Sequence, residues 1–319
     1  MDEVVIQSGL FILGLLGLSF GAEGLVKGSS RMGKALGVKP VVIGLTIVAF
    51  GTSSPELVVS LLAAIKKSEG IAIGNIIGSN IANIGLILGL SALVSPLKVQ
   101  SSVVRYDLPV MIGVSVIFVS MLLDQKVSFL NGLILFLGLL GYITYHLYNT
   151  MKVSKSNQTK TYETALDKDG SWIMNLLLLI VGFALLLGGA HLMVRSGIVL
   201  ARMLGVSEVI IGMTLVSIGT SLPELATSVI CAIRKESDIL VGNIIGSNIF
   251  NIMCVTGIVG MVSPLSFDRS LLFFEVPVLL LFSFALLPLM KSGFVLNRIE
   301  GGALLGGYVG FIVLLFWVS

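Results

Sequence analysis

IGLTIVAFGTSSPELVVS, at residues 43–60, recurs with few changes as IGMTLVSIGTSLPELATS at 211–228, and both copies lie in strongly apolar surroundings. Each copy carries one glutamate, Glu56 in the first and Glu224 in the second. A charged side chain at the centre of a membrane helix costs about 2.5–3.5 kcal/mol on insertion scales, so a carboxylate there is expected to have a function. The two glutamates are therefore the first candidates for a functional site.

The composition is that of a helical membrane protein. Hydrophobic residues make up 55% of the 319 residues and charged residues only 12%, against about 25% charged in soluble domains, and the mean hydropathy is +1.05. The apolar runs are continuous rather than alternating, which excludes a membrane β-barrel. Because about 20 apolar residues cross a bilayer, the sequence predicts an all-α polytopic membrane protein with ten transmembrane helices. The predicted spans are 4–25, 38–65, 71–95, 106–123, 127–148, 173–195, 206–233, 239–262, 271–290 and 300–318.

The two halves of the chain are internal repeats. Pro55 matches Pro223 at an offset of 168 residues, and the same offset carries SPL at 95–97 onto SPL at 263–265. Five spans is an odd number, so the second copy must enter the membrane from the opposite side, which predicts two inverted five-helix repeats. The predicted organisation is a first repeat at 1–150, a connecting loop at 151–171 and a second repeat at 172–319.

The distribution of Lys and Arg predicts the orientation in the membrane. About fourteen of the 20 basic residues fall on one set of alternate loops, and cytoplasmic loops carry the excess of such residues. We therefore expect the connecting loop in the cytoplasm and both termini on the extracytoplasmic side. The loop of about twenty residues has no strong periodicity, which predicts a flexible connection rather than a folded regulatory domain.

A second motif follows the first in each half, GNIIGSNIANIG at 74–85 and GNIIGSNIFNIM at 242–253. Its serine and its last asparagine are four residues apart and therefore share a helix face. In the first motif, the proline of GTSSPE or GTSLPE should break its helix near the middle of the membrane and free backbone carbonyls. Hydroxyl, amide, carbonyl and carboxylate groups are all hard oxygen donors, which suit Ca²⁺ or Na⁺ better than a transition metal.

The charge of such a site predicts ion exchange. Two ionised glutamates supply a charge of −2, which one Ca²⁺ or two Na⁺ would balance, and uncompensated buried charge is costly. Competition for shared ligands would let one cation displace the other. That competition is the physical basis of an antiporter.

The paired motifs, duplicated in two inverted halves, resemble the alpha-repeats of the cation/calcium exchanger superfamily, most closely its prokaryotic sodium/calcium exchanger-like members. The resemblance is densest at 41–97 and 209–265. It implies secondary antiport of Ca²⁺ against a monovalent cation at a site near the middle of the membrane.

Matched position by position, the resemblance also implies the ligands of that site. They are the central carboxylates of Glu56 and Glu224, hydroxyl or carbonyl oxygens of Thr52, Ser53, Thr220 and Ser221, oxygens at flanking monovalent-ion sites from Ser79 and Ser247, the amides of Asn83 and Asn251 in the middle, and the backbone carbonyls of Ala49 and Ser217. The chain departs from the pattern at Asn251, where several exchangers have aspartate. The departure lowers the site charge from −3 to −2 and leaves potassium co-transport and stoichiometry open, although an amide oxygen remains a ligand.

Several other functions are compatible with parts of this pattern. A Ca²⁺/H⁺ antiporter would use the same site, with protons replacing Na⁺ on the glutamates. Sodium is preferred because Ser79 and Ser247 extend the oxygen set beyond what protons need. A cation channel is less favoured because channel ligand rings usually come from several subunits. An intramembrane hydrolase is disfavoured because the motifs contain neither a GxSxG elbow nor an HExxH pair.

The expected setting follows from this interpretation. The protein is predicted to be a multi-pass protein of the plasma (inner) membrane and a transporter rather than an enzyme. Its partners would be Ca²⁺, Na⁺ or H⁺ and the lipid bilayer, with no cofactor and no nucleic acid. The sequence leaves the oligomeric state open, and a monomer is consistent with it.

Two acidic residues recur outside the motifs. Asp107 matches Glu275, and both lie near predicted helix starts, where the positive end of the helix dipole favours a carboxylate. Capping is therefore their expected role. His146 lies near the inner end of a predicted span and is expected at the membrane interface.

Overall fold

A computed structural model of the protein describes residues 2–36, 38–157, 172–205, 217–266 and 272–318. Most of these residues are helical. The first half contains α1 (Asp2–Leu36), α2 (Pro40–Ile43), a π-helical turn (Gly44–Val48), α3 (Ala49–Thr52), α4 (Ser54–Ile65), α5 (Glu69–Ala82), a π-helical turn (Asn83–Leu88), α6 (Gly89–Val94), β1 (Leu97–Lys98), a π-helical turn (Val103–Asp107), α7 (Leu108–Leu122), β2 (Lys126–Val127) and α8 (Phe129–Asn157).

The second half follows a parallel order. It contains α9 (Trp172–Met203), α10 (Ser217–Thr220), α11 (Leu222–Ile233), α12 (Ser237–Phe250), a π-helical turn (Asn251–Val255), α13 (Thr256–Val262), β3 (Leu265–Ser266), α14 (Glu275–Lys291), β4 (Val295–Leu296) and α15 (Arg298–Val318).

Most of the predicted membrane spans are present. Within the described part of the chain, seven helical segments are long and apolar enough to cross a membrane, and the bent pair Pro40–Thr52 and Ser54–Ile65 makes an eighth. Two predicted spans remain. The span predicted at 271–290 corresponds to α14, which has 17 residues, and the span predicted at 206–233 contains α11 but starts outside the described residues. A polytopic helical membrane protein is confirmed, whereas the count of ten spans stays a prediction.

The second motifs lie on the two most deeply buried helical segments. Burial reaches 78% in the apolar window of Glu69–Val94 and 89% in that of Ser237–Val262, but only 17–33% in the windows of α1, α8, α9 and α15. The outer helices expose apolar side chains because lipid, not water, would surround them. The centre of the bundle is thus formed by the helices that carry GNIIGSN.

Two short antiparallel pairs join the halves. β1 pairs with β4, with Leu97 opposite Leu296, and β2 pairs with β3, with Val127 opposite Leu265. Each pair takes one strand from each half of the chain. Such exchange of equivalent partners is what an inverted pair of repeats would produce, although the repeat boundaries themselves remain a prediction.

The long helices α1 and α9 approach each other closely through glycines. A Cβ atom added at Gly189 would come within 2.5 Å of the backbone nitrogen of Leu18, and one added at Gly21 within 2.4 Å of that of Leu186. Small residues allow helices in a membrane to pack backbone against backbone. Glycine is therefore required at these positions by the close packing of the two helices.

Asp107 does not cap a helix. It precedes α7 without any side-chain capping bond, and its buried Oδ1 accepts a hydrogen bond from the Tyr142 hydroxyl at 3.1 Å and lies 2.9 Å from His146 Nε2. A buried carboxylate needs such partners, and α8 supplies both. The prediction of a capping role for Asp107 was wrong. The interfacial position of His146 stays a prediction. Glu275 is the first residue of α14, as expected.

Candidate cation site

The GTSSPE motif breaks its helix at Ser53. α3 ends at Thr52, Ser53 has φ −83° and ψ 3°, and α4 begins at Ser54 with Pro55 in its first turn. The two pieces of this span differ in direction by 41°. Proline has no amide hydrogen, so it fits the first turn of a new helix but not the interior of a continuous one.

The GTSLPE motif breaks in the same way at Ser221, where φ is −90° and ψ is 7°, between α10 and α11. Glu56 and Glu224 each lie in the first turn of the helix that follows the break, where the positive end of the helix dipole favours a carboxylate. Their exposed fractions are only 1% and 0%. The helix breaks predicted from the prolines are confirmed, and they place both glutamates in the protein interior.

Each glutamate is bound by a serine from the other half. Ser53 Oγ donates to Glu224 Oε1, Ser221 Oγ donates to Glu56 Oε1, and both distances are 3.1 Å. The second carboxylate oxygen, Oε2, has no hydrogen-bond partner among the described residues in either glutamate. The structure thus brings the two repeated motifs together as one site with two exchanged contacts.

The serines of the second motif lie beside these groups. Ser79 Oγ lies 3.4 Å from Ser221 Oγ. Ser247 Oγ lies 3.4 Å from Glu224 Oε1, to which it donates, and 3.4 Å from Thr52 Oγ1. Hydroxyl oxygens therefore surround the carboxylates from both halves.

Asn83 and Asn251 each begin a π-helical turn at the centre of the bundle. Asn83 Nδ2 donates to Asn248 Oδ1 at 3.3 Å, but Asn83 Oδ1 and both polar atoms of the Asn251 side chain have no hydrogen-bond partner in the described part of the chain. Both residues are buried. Buried polar atoms without partners are rare, and π-helical turns frequently occur at functional sites.

The two predicted backbone ligands lie on the short helices that precede the breaks, Ala49 on α3 and Ser217 on α10. The Ala49 carbonyl already accepts the backbone N–H of Ser53 at 3.0 Å and lies 3.4 Å from Thr52 Oγ1. Ser217 is the first residue of α10, and the residues immediately before it are outside the described range. The ligand role of both carbonyls stays a prediction.

Two further residues of this region, Asn75 and Asn243, were not predicted from the sequence; they are the first asparagines of the two second motifs. Asn75 Oδ1 accepts a hydrogen bond from Thr220 Oγ1, and Asn243 Oδ1 accepts one from Thr52 Oγ1, both at 3.2 Å. These bonds again cross between the halves. The signal was available, because both asparagines recur at the offset of 168 residues.

The chemistry of the assembled groups suits a hard cation. Two carboxylates, several hydroxyls and several amides converge, and no group of three or more His, Cys, Asp or Glu side chains able to hold a metal occurs among the described residues. Oxygen donors of this kind match the preference of Ca²⁺, whereas transition metals prefer imidazole and thiolate. Within the described ranges, the arrangement thus places only hard oxygen and amide groups around the two carboxylates.

A family model of the sodium/calcium exchanger protein matches residues 6–148 and 174–317. The chain belongs to this family. It is therefore a membrane transporter rather than an enzyme, and the resemblance read from its motifs is confirmed.

Individual relatives match over nearly the whole chain. The sodium/calcium exchanger MaX1 of Methanosarcina acetivorans is 35% identical over 97% of this chain and 98% of its own length. The inner membrane protein YrbG of Escherichia coli is 37% identical over 99% and 98%. A solved structure of the sodium-calcium exchanger NCX_Mj, soaked with Na⁺ and Sr²⁺, is similar with a TM-score of 0.85 and 32% identity, over 97% of this chain and 98% of the other. These matches agree with cation/Ca²⁺ exchange by a polytopic membrane protein.

Proposed function

We propose that this protein exchanges Ca²⁺ for Na⁺ by alternating access, with the cations held between Glu56 and Glu224. One observation carries the proposal. Each buried glutamate has one carboxylate oxygen bonded to a serine of the opposite half and one oxygen without a hydrogen-bond partner among the described residues. Such an oxygen is costly to bury, and a bound cation would balance its charge and fill its coordination.

The position of the site at the contact between the halves supports transport rather than static binding. The carboxylates lie next to helix breaks, and the bonds between Ser53 and Glu224 and between Ser221 and Glu56 cross from one half to the other. A movement of one half against the other would therefore change the ligands around the ion. This is the general arrangement of transporters built from inverted repeats.

Sodium as the counter-ion is supported by the hydroxyls beside the carboxylates. Ser79 and Ser247 lie within the same hydrogen-bonded group as Ser221 and Glu224 and extend the set of oxygen donors beyond the two carboxylates. A proton needs only one acceptor oxygen, whereas Na⁺ needs several. The relative named sodium/calcium exchanger MaX1 is consistent with this choice.

The proposed setting is the inner membrane, the location named for the relative YrbG. One chain supplies carboxylates from both of its halves, so a monomer would suffice. Apart from the transported ions no cofactor is proposed.

The deciding experiment is ⁴⁵Ca²⁺ uptake into proteoliposomes that contain the purified protein and are preloaded with Na⁺. Vesicles loaded with choline remove the Na⁺ gradient, and a pH jump in choline-loaded vesicles supplies a proton gradient alone. We expect uptake that requires the outward Na⁺ gradient and saturates with external Ca²⁺.

The other outcomes are equally informative. Uptake driven only by the pH jump would replace Na⁺ by H⁺ while keeping the site. Uptake that needs no counter-ion and does not saturate would indicate a channel. Absence of uptake under all three conditions would contradict Ca²⁺ as the substrate.

A further inference from the structure

Asn75 and Asn243 occupy matching positions in the two second motifs, but they do not make matching hydrogen bonds. Their side-chain oxygens behave alike, since each accepts a threonine hydroxyl of the opposite half at 3.2 Å. Their side-chain nitrogens differ. Within the described parts of the chain, the difference identifies an anchor in the first half that has no counterpart in the second.

In the first half the nitrogen is bound twice. Asn75 Nδ2 donates to Ser60 Oγ at 2.9 Å and to the backbone carbonyl of Glu56 at 3.3 Å. Glu56 and Ser60 are four residues apart on α4 and therefore lie one above the other on the same face. One amide thus fixes α5 to the turn of α4 that carries the Glu56 carboxylate, and also links this turn to Thr220 of the other half.

In the second half the equivalent bonds are missing. Ser228 stands at the offset of 168 residues from Ser60, yet neither Ser228 Oγ nor Asn243 Nδ2 has a hydrogen-bond partner among the described residues. Burial does not explain the contrast, because both serines have an exposed fraction of 0%. Glu224 therefore lies on a helix turn that Asn243 does not hold.

We infer that Asn75 is a positioning residue for Glu56, acting through Ser60 and the Glu56 carbonyl, and that Asn243 provides no such anchor for Glu224. The inference rests on the proposed function, in which Glu56 is a cation ligand. A ligand that is already fixed binds its ion without further ordering, so loss of the anchor should weaken Ca²⁺ binding. The two glutamates then differ in one contact, because Asn75 anchors the helix turn of Glu56 and Asn243 does not anchor that of Glu224.

The chain contains a matched pair of variants for the test, Ser60→Ala and Ser228→Ala. Both remove one buried hydroxyl at equivalent positions, but only Ser60→Ala removes a hydrogen bond to the positioning residue. The KM for Ca²⁺ and the maximal rate are measured by Na⁺-driven ⁴⁵Ca²⁺ uptake in proteoliposomes. We expect Ser60→Ala to raise KM by about three- to tenfold, the loss typical of one hydrogen bond, with a smaller change in the maximal rate. Ser228→Ala should stay within about twofold of the wild type.

A double-mutant cycle adds a readout that a merely structural role would not change. Asn75→Ala and Ser60→Ala act on the same hydrogen bond, so the double variant should have the KM of Asn75→Ala alone. Independent, multiplying effects would overturn the inference, as would equal KM values for Ser60→Ala and Ser228→Ala.

Failure of the proposed function can be distinguished from failure of the inference about Asn75. Wild-type protein that shows no Na⁺-driven uptake contradicts the proposed function, and this is seen before any variant is compared. If Ser60→Ala does not fold, Asn75→Ala is compared with Asn243→Ala. Each of these variants loses its bond to a threonine, so that loss is common to both. A larger KM for Asn75→Ala than for Asn243→Ala therefore supports the anchor, and equal KM values overturn the inference.

Discussion

Glu56 and Glu224 are related by exchanged serine contacts, which makes their substitution the most direct test at the scale of single residues. Glutamine keeps the size of the side chain and one acceptor oxygen but lowers the charge of the site from −2 to −1. A single buried charge does not balance Ca²⁺. We expect Glu56→Gln and Glu224→Gln each to abolish ⁴⁵Ca²⁺ uptake while the purified protein keeps its thermal unfolding temperature. Wild-type uptake in either variant would exclude that glutamate as a ligand.

Asp107 provides a test of stability that is separate from transport. Tyr142 donates its hydroxyl to the buried carboxylate, whereas Tyr145 is 48% exposed and contacts His146 only through its ring. Tyr142→Phe removes a bond to a buried acceptor, so it should lower the free energy of unfolding by about 1–3 kcal/mol. Tyr145→Phe is the control and should leave the free energy of unfolding unchanged. The unfolding temperatures in detergent are compared, and equal values for the two variants would show that the Asp107 contact contributes nothing.

At the scale of elements, the packing of α1 on α9 depends on individual glycines. A Cβ at Gly189 would lie 2.5 Å from the Leu18 nitrogen, whereas Gly188, its neighbour on the same helix, has no described atom within 4 Å of the added Cβ. Gly189→Ala should therefore separate the helices and cost about 1–3 kcal/mol of stability, as overpacking does. Gly188→Ala should be neutral or slightly stabilising, because alanine favours the helix. The unfolding temperatures of the two variants are measured in the same detergent. Equal unfolding temperatures would contradict this packing of α1 on α9.

Some features of the helices could be predicted from the sequence and others could not. The breaks at Ser53 and Ser221 were predictable because proline acts through local covalent geometry. The π-helical turns that begin at Asn83 and Asn251 were not, since nothing local in these segments distinguishes a π-helical turn from an α-helical one. The positions of the Asn83 and Asn251 amide oxygens therefore depend on how these turns pack against the neighbouring helices.

At the scale of the whole molecule, the predicted orientation can be tested with introduced cysteines. Both natural cysteines, Cys231 and Cys254, are buried and should react little. A membrane-impermeant maleimide applied to intact cells should label Ser319→Cys but not Thr159→Cys, because the terminus is predicted outside and the connecting loop inside. Lysed cells should label both. Labelling of Thr159→Cys in intact cells would reverse the orientation.

The sequence by itself determined the membrane class, the duplication, the helix breaks and the hard-oxygen character of the site. These properties follow from composition, from proline geometry and from recurrence at one offset, all of which are local or statistical. Only the tertiary structure decided that Ser53 binds Glu224 rather than Glu56, that Asn75 anchors α4, and that Asp107 pairs with Tyr142 and His146. These contacts join residues far apart in the chain, and hydrogen-bond partners at such separations are set by the packing of whole helices and not by sequence spacing.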